Sequence, residues 1–248
     1  ILAHKFNKFD LELIDHHTYV FCGDGDLMEG ISHEACSYAG THKLNKLIVL
    51  YDDNDISIDG EVAGWFTDDT AKRFESYGWH VIPKIDGHNE EAVDAAITEA
   101  KLSDKPTLIC CKTIIGKGSP NKAGTAGVHG AALGEEEVLL TRKNLNWSFD
   151  TFEIPDEVYS GWNQEKKGAE KENAWELSVK KYKEKYPEEF QVFDRLSKGE
   201  LPSEFDSTIE GLVKSFEDDE TSHASRKCSG MCLDCLLYTS PSPRDKHR

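Results

Sequence analysis

No apolar run in this 248-residue sequence approaches the ~20 residues needed to span a bilayer, so the chain reads as a soluble protein without a membrane partner. Positive charge is also scarce. Lys plus Arg number 29 against 46 for Asp plus Glu, a formal net charge of -17, which is the wrong sign for a phosphate-backbone binder and excludes nucleic acid as a partner. A cysteine framework is missing. The seven cysteines are an odd count, and Cys22, Cys36, Cys110 and Cys111 sit in apolar segments, as reduced core residues of a cytoplasmic protein would. Cys228, Cys232 and Cys235 crowd near the end, where only His223 or His247 offers a fourth ligand, so a zinc knuckle ranks below a plain helix or tail. Ile1 to Asp15 carries no leader peptide and does not start with Met, which reads as a piece of a longer protein; organellar targeting of that precursor stays open. No internal repeat appears.

What is present centres on residues 18 to 60. Thr18 to Cys22 and Leu47 to Tyr51 have the length and β-branched or aromatic content of buried strands, and Ile31 to Leu44 is long enough for the crossover helix between them. In an open parallel sheet the ligand sits beyond the carboxyl ends of the strands, where this βαβ unit puts Gly23-Asp24-Gly25 and, one strand-to-strand repeat later, Asn54. A carboxylate and an amide there suit a magnesium diphosphate, because magnesium takes hard oxygen ligands and shares them with phosphate. So acidic a chain must neutralise an anionic ligand locally, with a metal ion or helix N-termini.

Further along, Ile56 to Gly60 is extended and closes in a turn, and Thr67 or Asp68 is expected to cap a helix running to about Tyr77. Strands over Trp79 to Ile85 and Thr107 to Ile115 flank a helix over Glu90 to Leu102, and the glycine-rich loop Gly116 to Thr125 follows at the ligand end. Alternation of this kind predicts an α/β fold with a doubly wound parallel sheet. Beyond Gly134 the pattern turns helical, over Glu135 to Leu145, from near Asp156, and along Lys171 to Tyr186, where Trp175, Val179, Tyr182 and Tyr186 form one stripe. Phe190 to Leu196 and Ile209 to Phe216 continue this C-terminal helical extension. Leu2, Phe6 and Phe9 are expected core contacts, and the tail from about Leu236 has no periodicity.

Several familiar motifs fail on spacing. Gly23-Asp24-Gly25 is followed next by Gly30, not at dinucleotide-fingerprint distance, and Gly116-Lys117-Gly118-Ser119 lacks the upstream glycine of a P-loop. The run Asp52 to Gly60 brings its glycine too late for a calcium loop and has Ile56 at a ligand position. Lys117 and Lys122 read as solvated lysines, and His33, His42, His80 and His88 as capping or surface groups.

Gly23-Asp24-Gly25 with Asn54 matches the thiamin-diphosphate motif. Around it, Gly-Asp-Gly-Asp-Leu-Met-Glu-Gly-Ile-Ser-His-Glu, Tyr-Asp-Asp-Asn-Asp-Ile-Ser-Ile-Asp-Gly, Gly-Trp-Phe-Thr-Asp-Asp-Thr and Lys-Thr-Ile-Ile-Gly-Lys-Gly-Ser-Pro-Asn-Lys-Ala-Gly-Thr resemble the transketolase family. The likeness runs from about Leu2 to Asp234, with Phe152-Glu-Ile-Pro and Ala224-Ser-Arg-Lys matching too; Ala126-Gly127-Val128 and the tail from about Leu236 depart from it. It implies a thiamin-diphosphate-binding fold over residues 1–200 with its helical extension, a linker over 201–224, and the start of a pyrimidine-binding domain over 225–248.

The implied reaction is transfer of a two-carbon ketol unit from a ketose phosphate to an aldose phosphate, with thiamin diphosphate and Mg2+ (or Ca2+ or Mn2+), in a homodimer whose partners are these sugar phosphates. By the same resemblance Asp24, Asn54 and the backbone carbonyl of Ile56 hold the metal, and Asn54 also touches the diphosphate. Gly25 lets the backbone approach it, since a β-carbon would obstruct. His129, in Val-His-Gly, faces cofactor and sugar as a catalytic and substrate-binding imidazole. Glu29 and Glu34 lie near the subunit interface and link the active sites in a proton relay, a role weighed equally with a solvated first helical turn. The activating glutamate and phosphate-clamping arginines would lie beyond this chain, so the chain alone is expected to be inactive. Two alternatives remain: a related enzyme such as dihydroxyacetone synthase, and a non-catalytic diphosphate-binding or dimerisation module.

Overall fold

A computed structural model describes residues 2–239, with side chains to residue 236. In chain order the elements are α1 (Leu2–Phe6), β1 (Thr18–Gly23), α2 (Asp24–Met28), α3 (Gly30–Thr41), β2 (Leu47–Asp53), β3 (Ile56–Ser57), β4 (Gly60–Glu61), α4 (Thr70–Ser76), β5 (His80–Asp86), α5 (Glu90–Leu102) and β6 (Thr107–Lys112). Helices follow: α6 (Glu135–Asn144), α7 (Asp156–Trp162), α8 (Glu165–Lys185), α9 (Pro187–Ser197), α10 (Phe205–Glu217) and α11 (Ser225–Thr239). The chain divides into two compact units, His16–Gly161 and Ile1–Asp15 with Trp162–Arg248. No helix among the described residues is long and apolar enough to cross a membrane.

The first unit is a parallel four-stranded sheet in the order β1-β2-β6-β5, with β3 and β4 as a separate hairpin. Successive residues of a strand face opposite sides, and the central strands bury both. Val49, Tyr51, Leu108 and Cys110 meet Leu27, Ala39, Phe74 and Trp79 on one face, while Ile48, Leu50, Ile109 and Cys111 meet Ala96 and Ala100 on the other. The helices divide as right-handed crossovers require: α3 and α4 accompany steps one way across the sheet, and α5 the step back. A doubly wound parallel α/β fold results, as expected from the sequence. On α3, Gly40 lets the helix lie against the following turn, because a β-carbon there would run into the Tyr77 carbonyl.

Several local expectations need correction. Thr18 to Cys22 is not a buried strand: among the described residues β1 pairs with β2 alone, and Tyr19, Val20 and Phe21 are exposed at the sheet edge. Asp69, not Thr67 or Asp68, caps α4, accepting from the Lys72 backbone N–H at 3.1 Å. A short helix not expected from the sequence, α2, begins at Asp24 directly after β1. Asp26 induces it by reaching back to accept from the Gly23 N–H at 2.8 Å.

The second unit is helical and has its own core of Phe6, Leu13 and Tyr182, flanked by Val179, Tyr186 and Phe193. Here the expected stripe on α8 is the packing face. The Tyr182 hydroxyl donates to the Phe6 carbonyl at 2.7 Å, and the Trp175 indole N–H to the Leu13 carbonyl at 2.9 Å. Leu2 and Phe9, expected in the core, are exposed; Leu13 takes the place, since Asn7 turns the chain by accepting from the Leu13 and Ile14 N–H groups at 2.9 and 2.8 Å. Cys228, Cys232 and Cys235 lie along α11, and His247 falls outside the described residues. Among the described residues no group of three His, Cys, Asp or Glu side chains converges as a metal site.

Candidate functional site

Register brings the key groups together. Gly23 pairs with Asp52 and Cys22 with Tyr51, so both strands end at one level and release Asp24 and Asn54 side by side. A cleft of about 700 Å³ opens there, lined by Gly23, Asp24, Gly25, Glu29, Asn54 and Ile56, with His129 opposite and Trp65 and Ile58 at its mouth. Of the residues singled out in the sequence, only Glu34 falls outside this lining; it lies exposed on α3.

Asp24 is 3% exposed, and its oxygens differ. Oδ1 accepts from the buried Tyr51 hydroxyl, whereas Oδ2 is buried with no hydrogen-bond partner. An ionised oxygen in that state is costly unless something positive meets it. Burial raises the Asp24 pKa above the ordinary carboxylate value; the Tyr51 bond opposes this, and the nearby Asp53 and Asp55 charges add to it. Burial, then the Asp24 carboxylate, push the Tyr51 phenol far up, so Tyr51 stays the donor.

Asn54 is held at both ends. Its Nδ2 donates to Asp52 Oδ2 at 3.1 Å, and its Oδ1 accepts from the Ile56 N–H at 2.9 Å, closing a turn in which Asp55, not Asn54, is left-handed at φ 61°. The amide oxygen keeps a second lone pair for a ligand. Lys112 bridges Asp53 at 3.2 Å and also Asp55, tying β6 to this turn. Gly25 has open space where a β-carbon would stand, on the cleft side of the α2 N-terminus. One carboxylate oxygen, an amide oxygen and the Ile56 backbone form a hard-oxygen donor set, which fits a magnesium-type cation shared with a phosphate.

Behind α2 and α3, Arg73 donates to the Leu27 carbonyl at 3.3 Å and to Asp68 at 2.9 Å, His33 shares a 2.8 Å hydrogen bond with the Tyr77 hydroxyl, and the Trp79 indole donates to the Cys36 carbonyl at 2.8 Å. His33 is therefore structural. Burial holds the Cys22 and Cys110 thiols at about 12, which leaves them unreactive.

The facing wall is the loop after β6. Gly116, Gly118 and Gly124 all have positive φ, and a β-carbon on Gly118 would strike the Leu145 side chain. Glu137 on α6, 7% exposed, fastens the loop: it accepts from the Ser119 hydroxyl and from the Asn121 N–H and Nδ2 at 2.9 Å each. These bonds, the Ser119 hydroxyl first, lower its pKa. Lys122 is half-buried, not a freely solvated lysine, and its Nζ donates to the Leu133 carbonyl at 2.7 Å. His129 follows a single 3-10 turn, Ala126–Val128, and is exposed to the cleft. Sequence reasoning missed Tyr51 and Glu137. Tyr51 reads as one more strand aromatic and Glu137 as one of three acids opening a helix, so neither carries a signal of its partner.

A parallel α/β domain with a carboxylate, an amide and an open glycine at adjacent strand ends is of the diphosphate-binding class. The family model for the transketolase thiamine diphosphate binding domain matches residues 1–202. Transketolase 2 of Vibrio vulnificus is 54% identical over 235 residues, covering 95% of this chain and 35% of that protein. Transketolase 1 of Escherichia coli is 53% identical over 236 residues, covering 95% and 36%. The solved transketolase from Leishmania mexicana superposes with a TM-score of 0.79 at 37% identity, covering 96% of this chain and 35% of that one. The chain belongs to the transketolase family and spans about a third of the length of these relatives.

Proposed function

We propose that this chain is the cofactor-anchoring part of a transketolase, which moves a two-carbon ketol unit between sugar phosphates with thiamin diphosphate and a divalent cation. The observation that carries the reading is the buried, unpartnered Oδ2 of Asp24 beside Asn54 and Ile56 in one cleft. Asp24 Oδ2, Asn54 Oδ1 and the Ile56 carbonyl would hold Mg2+, or Ca2+ or Mn2+ in its place. When bound, the cofactor supplies the carbanion-stabilising chemistry of the transfer. The protein's tasks are anchoring and orientation: Gly25 admits the diphosphate to the backbone, Asn54 contacts it, and His129 presents an imidazole to cofactor and sugar hydroxyl from the opposite wall. Glu29 and Glu34 serve a homodimer interface and its proton relay. Residues 1–200 form the diphosphate domain, 201–224 a linker and 225–248 the start of the next domain, in a cytoplasmic protein.

This chain alone is inactive, because the groups that activate the aminopyrimidine and clamp sugar phosphates lie outside it. Calorimetry tests the anchor: thiamin diphosphate binds only with a divalent cation, and Asp24→Ala abolishes the heat. Equal binding by Asp24→Ala and the parent chain sinks the reading. Two-carbon transfer to ribose 5-phosphate, assayed on the full-length parent and on this chain, should be present in the first and absent in the second.

A further inference from the structure

Resting on that reading, we infer that Tyr51 is a positioning residue that biases Asp24 toward ligation through Oδ2 alone and thereby tunes which cation the site prefers. The Tyr51 ring is 5% exposed on the strand-pair register of Cys22, directly behind the point where the chain leaves β1 for Asp24. Among the described residues its hydroxyl donates to Asp24 Oδ1 alone, and Oδ2 remains without a hydrogen-bond partner. Asp24 thus lines the cleft with Oδ1 already engaged and Oδ2 without a partner, an arrangement that favours ligation through one oxygen. Mg2+ requires near-octahedral geometry at ~2.0–2.1 Å, which a single carboxylate oxygen meets, whereas Ca2+ at ~2.3–2.6 Å accepts a carboxylate with one or both oxygens. A hydroxyl on Oδ1 weakens that oxygen as a metal donor and holds the carboxylate in one orientation, which disfavours the two-oxygen mode, so the hydroxyl biases the site toward the smaller ion.

The competing account is that Tyr51 is a core aromatic whose hydroxyl takes Asp24 as a convenient acceptor. Tyr51→Phe separates the two, because it keeps the ring in its packing and deletes only the donor. With thiamin diphosphate saturating, Mg2+ and Ca2+ are titrated calorimetrically into the chain, Tyr51→Phe and Asp24→Ala, with thermal melts of each. The expected result is Mg2+ affinity weakened ~10–100-fold in Tyr51→Phe, as for other outer-shell ligand supports, with Ca2+ affinity falling much less, so that the Ca2+-to-Mg2+ affinity ratio rises about tenfold. Loss of both affinities by the same factor, tracking the melting temperature, makes the role merely structural and overturns the inference, as does no change in either. If the parent chain binds no cofactor with either ion, or Asp24→Ala binds as the parent does, the anchoring reading fails and takes this inference with it.

Discussion

The cleft has walls made in different ways. Asp24, Asn54 and Ile56 are set by strand register, so their positions follow from the ladder that joins Cys22 to Tyr51 and Gly23 to Asp52. His129 stands on a loop with no ladder, and its side is fixed by the side-chain bonds that converge on Glu137. Backbone pairing is shared over many residues and resists single substitutions, whereas a loop fastened by a few side-chain bonds is sensitive to the group that makes most of them. The anchoring wall is thus held by its strands, and the wall that carries His129 by a few side-chain bonds, those of Glu137 foremost.

Removing the support under the first wall should have the largest effect. Phe74 is fully buried against Tyr77 and Trp79 at ring distances of 5.6 and 5.0 Å, so Phe74→Ala should cost about 3–5 kcal/mol in denaturant melts and take cation-dependent cofactor binding with it. Asp24→Asn is next and separates stability from function. It removes a buried charge that has one unpartnered oxygen, so the ligand-free chain should melt higher while calorimetry loses cation-dependent binding. An unchanged or lower melting temperature would mean that Oδ2 is not the cost assumed here.

Glu137 tests the second wall. Glu137→Gln should loosen the Gly116–Thr125 loop, read as faster protease cleavage there, while cation affinity at Asp24 is retained. The pH dependence has a definite sign. A pKa held below the ordinary glutamate value of 4.5 stabilises the fold above that value, and the stabilisation is lost as pH falls through the depressed value. The melting-temperature gap between the parent and Glu137→Gln should therefore be full near neutrality and close in acid below about 4.5. A gap constant across that window removes the clasp. Asn89→Ala, outside the lining of the cleft, is the smallest change: losing the cap bond to the Ala92 N–H at 3.0 Å should cost ~0.5–2 kcal/mol and leave cofactor binding untouched.

The strands and the strand-end residues were legible because apolar runs and turn residues act locally, and their carboxyl ends define where a ligand can sit. The edge position of β1 was not, since the composition of Thr18 to Cys22 is the same whether a strand has one neighbour or two. Helix α2 was hidden because a helix this short has no periodic face to read and depends on one side-chain bond from Asp26. Tyr51 and Glu137 act through partners 27 and 18 residues away, and a strand-to-strand repeat brings segments together without naming which side chains bond. The Asp69 cap illustrates a smaller limit: with Thr67, Asp68, Asp69 and Thr70 in a row, composition names the cap region without choosing the residue.

The hydrogen bond from Tyr182 to the Phe6 carbonyl joins residues 176 apart in sequence. During synthesis the ribosome must therefore deliver the whole sheet-bearing unit before α8 emerges to cover Phe6 and Leu13. His16–Gly161 can settle early from contacts within itself, while the helical unit closes only after α8 has emerged and leaves Phe6 and Leu13 waiting until then. That interval is when a chaperone would find this protein most adhesive.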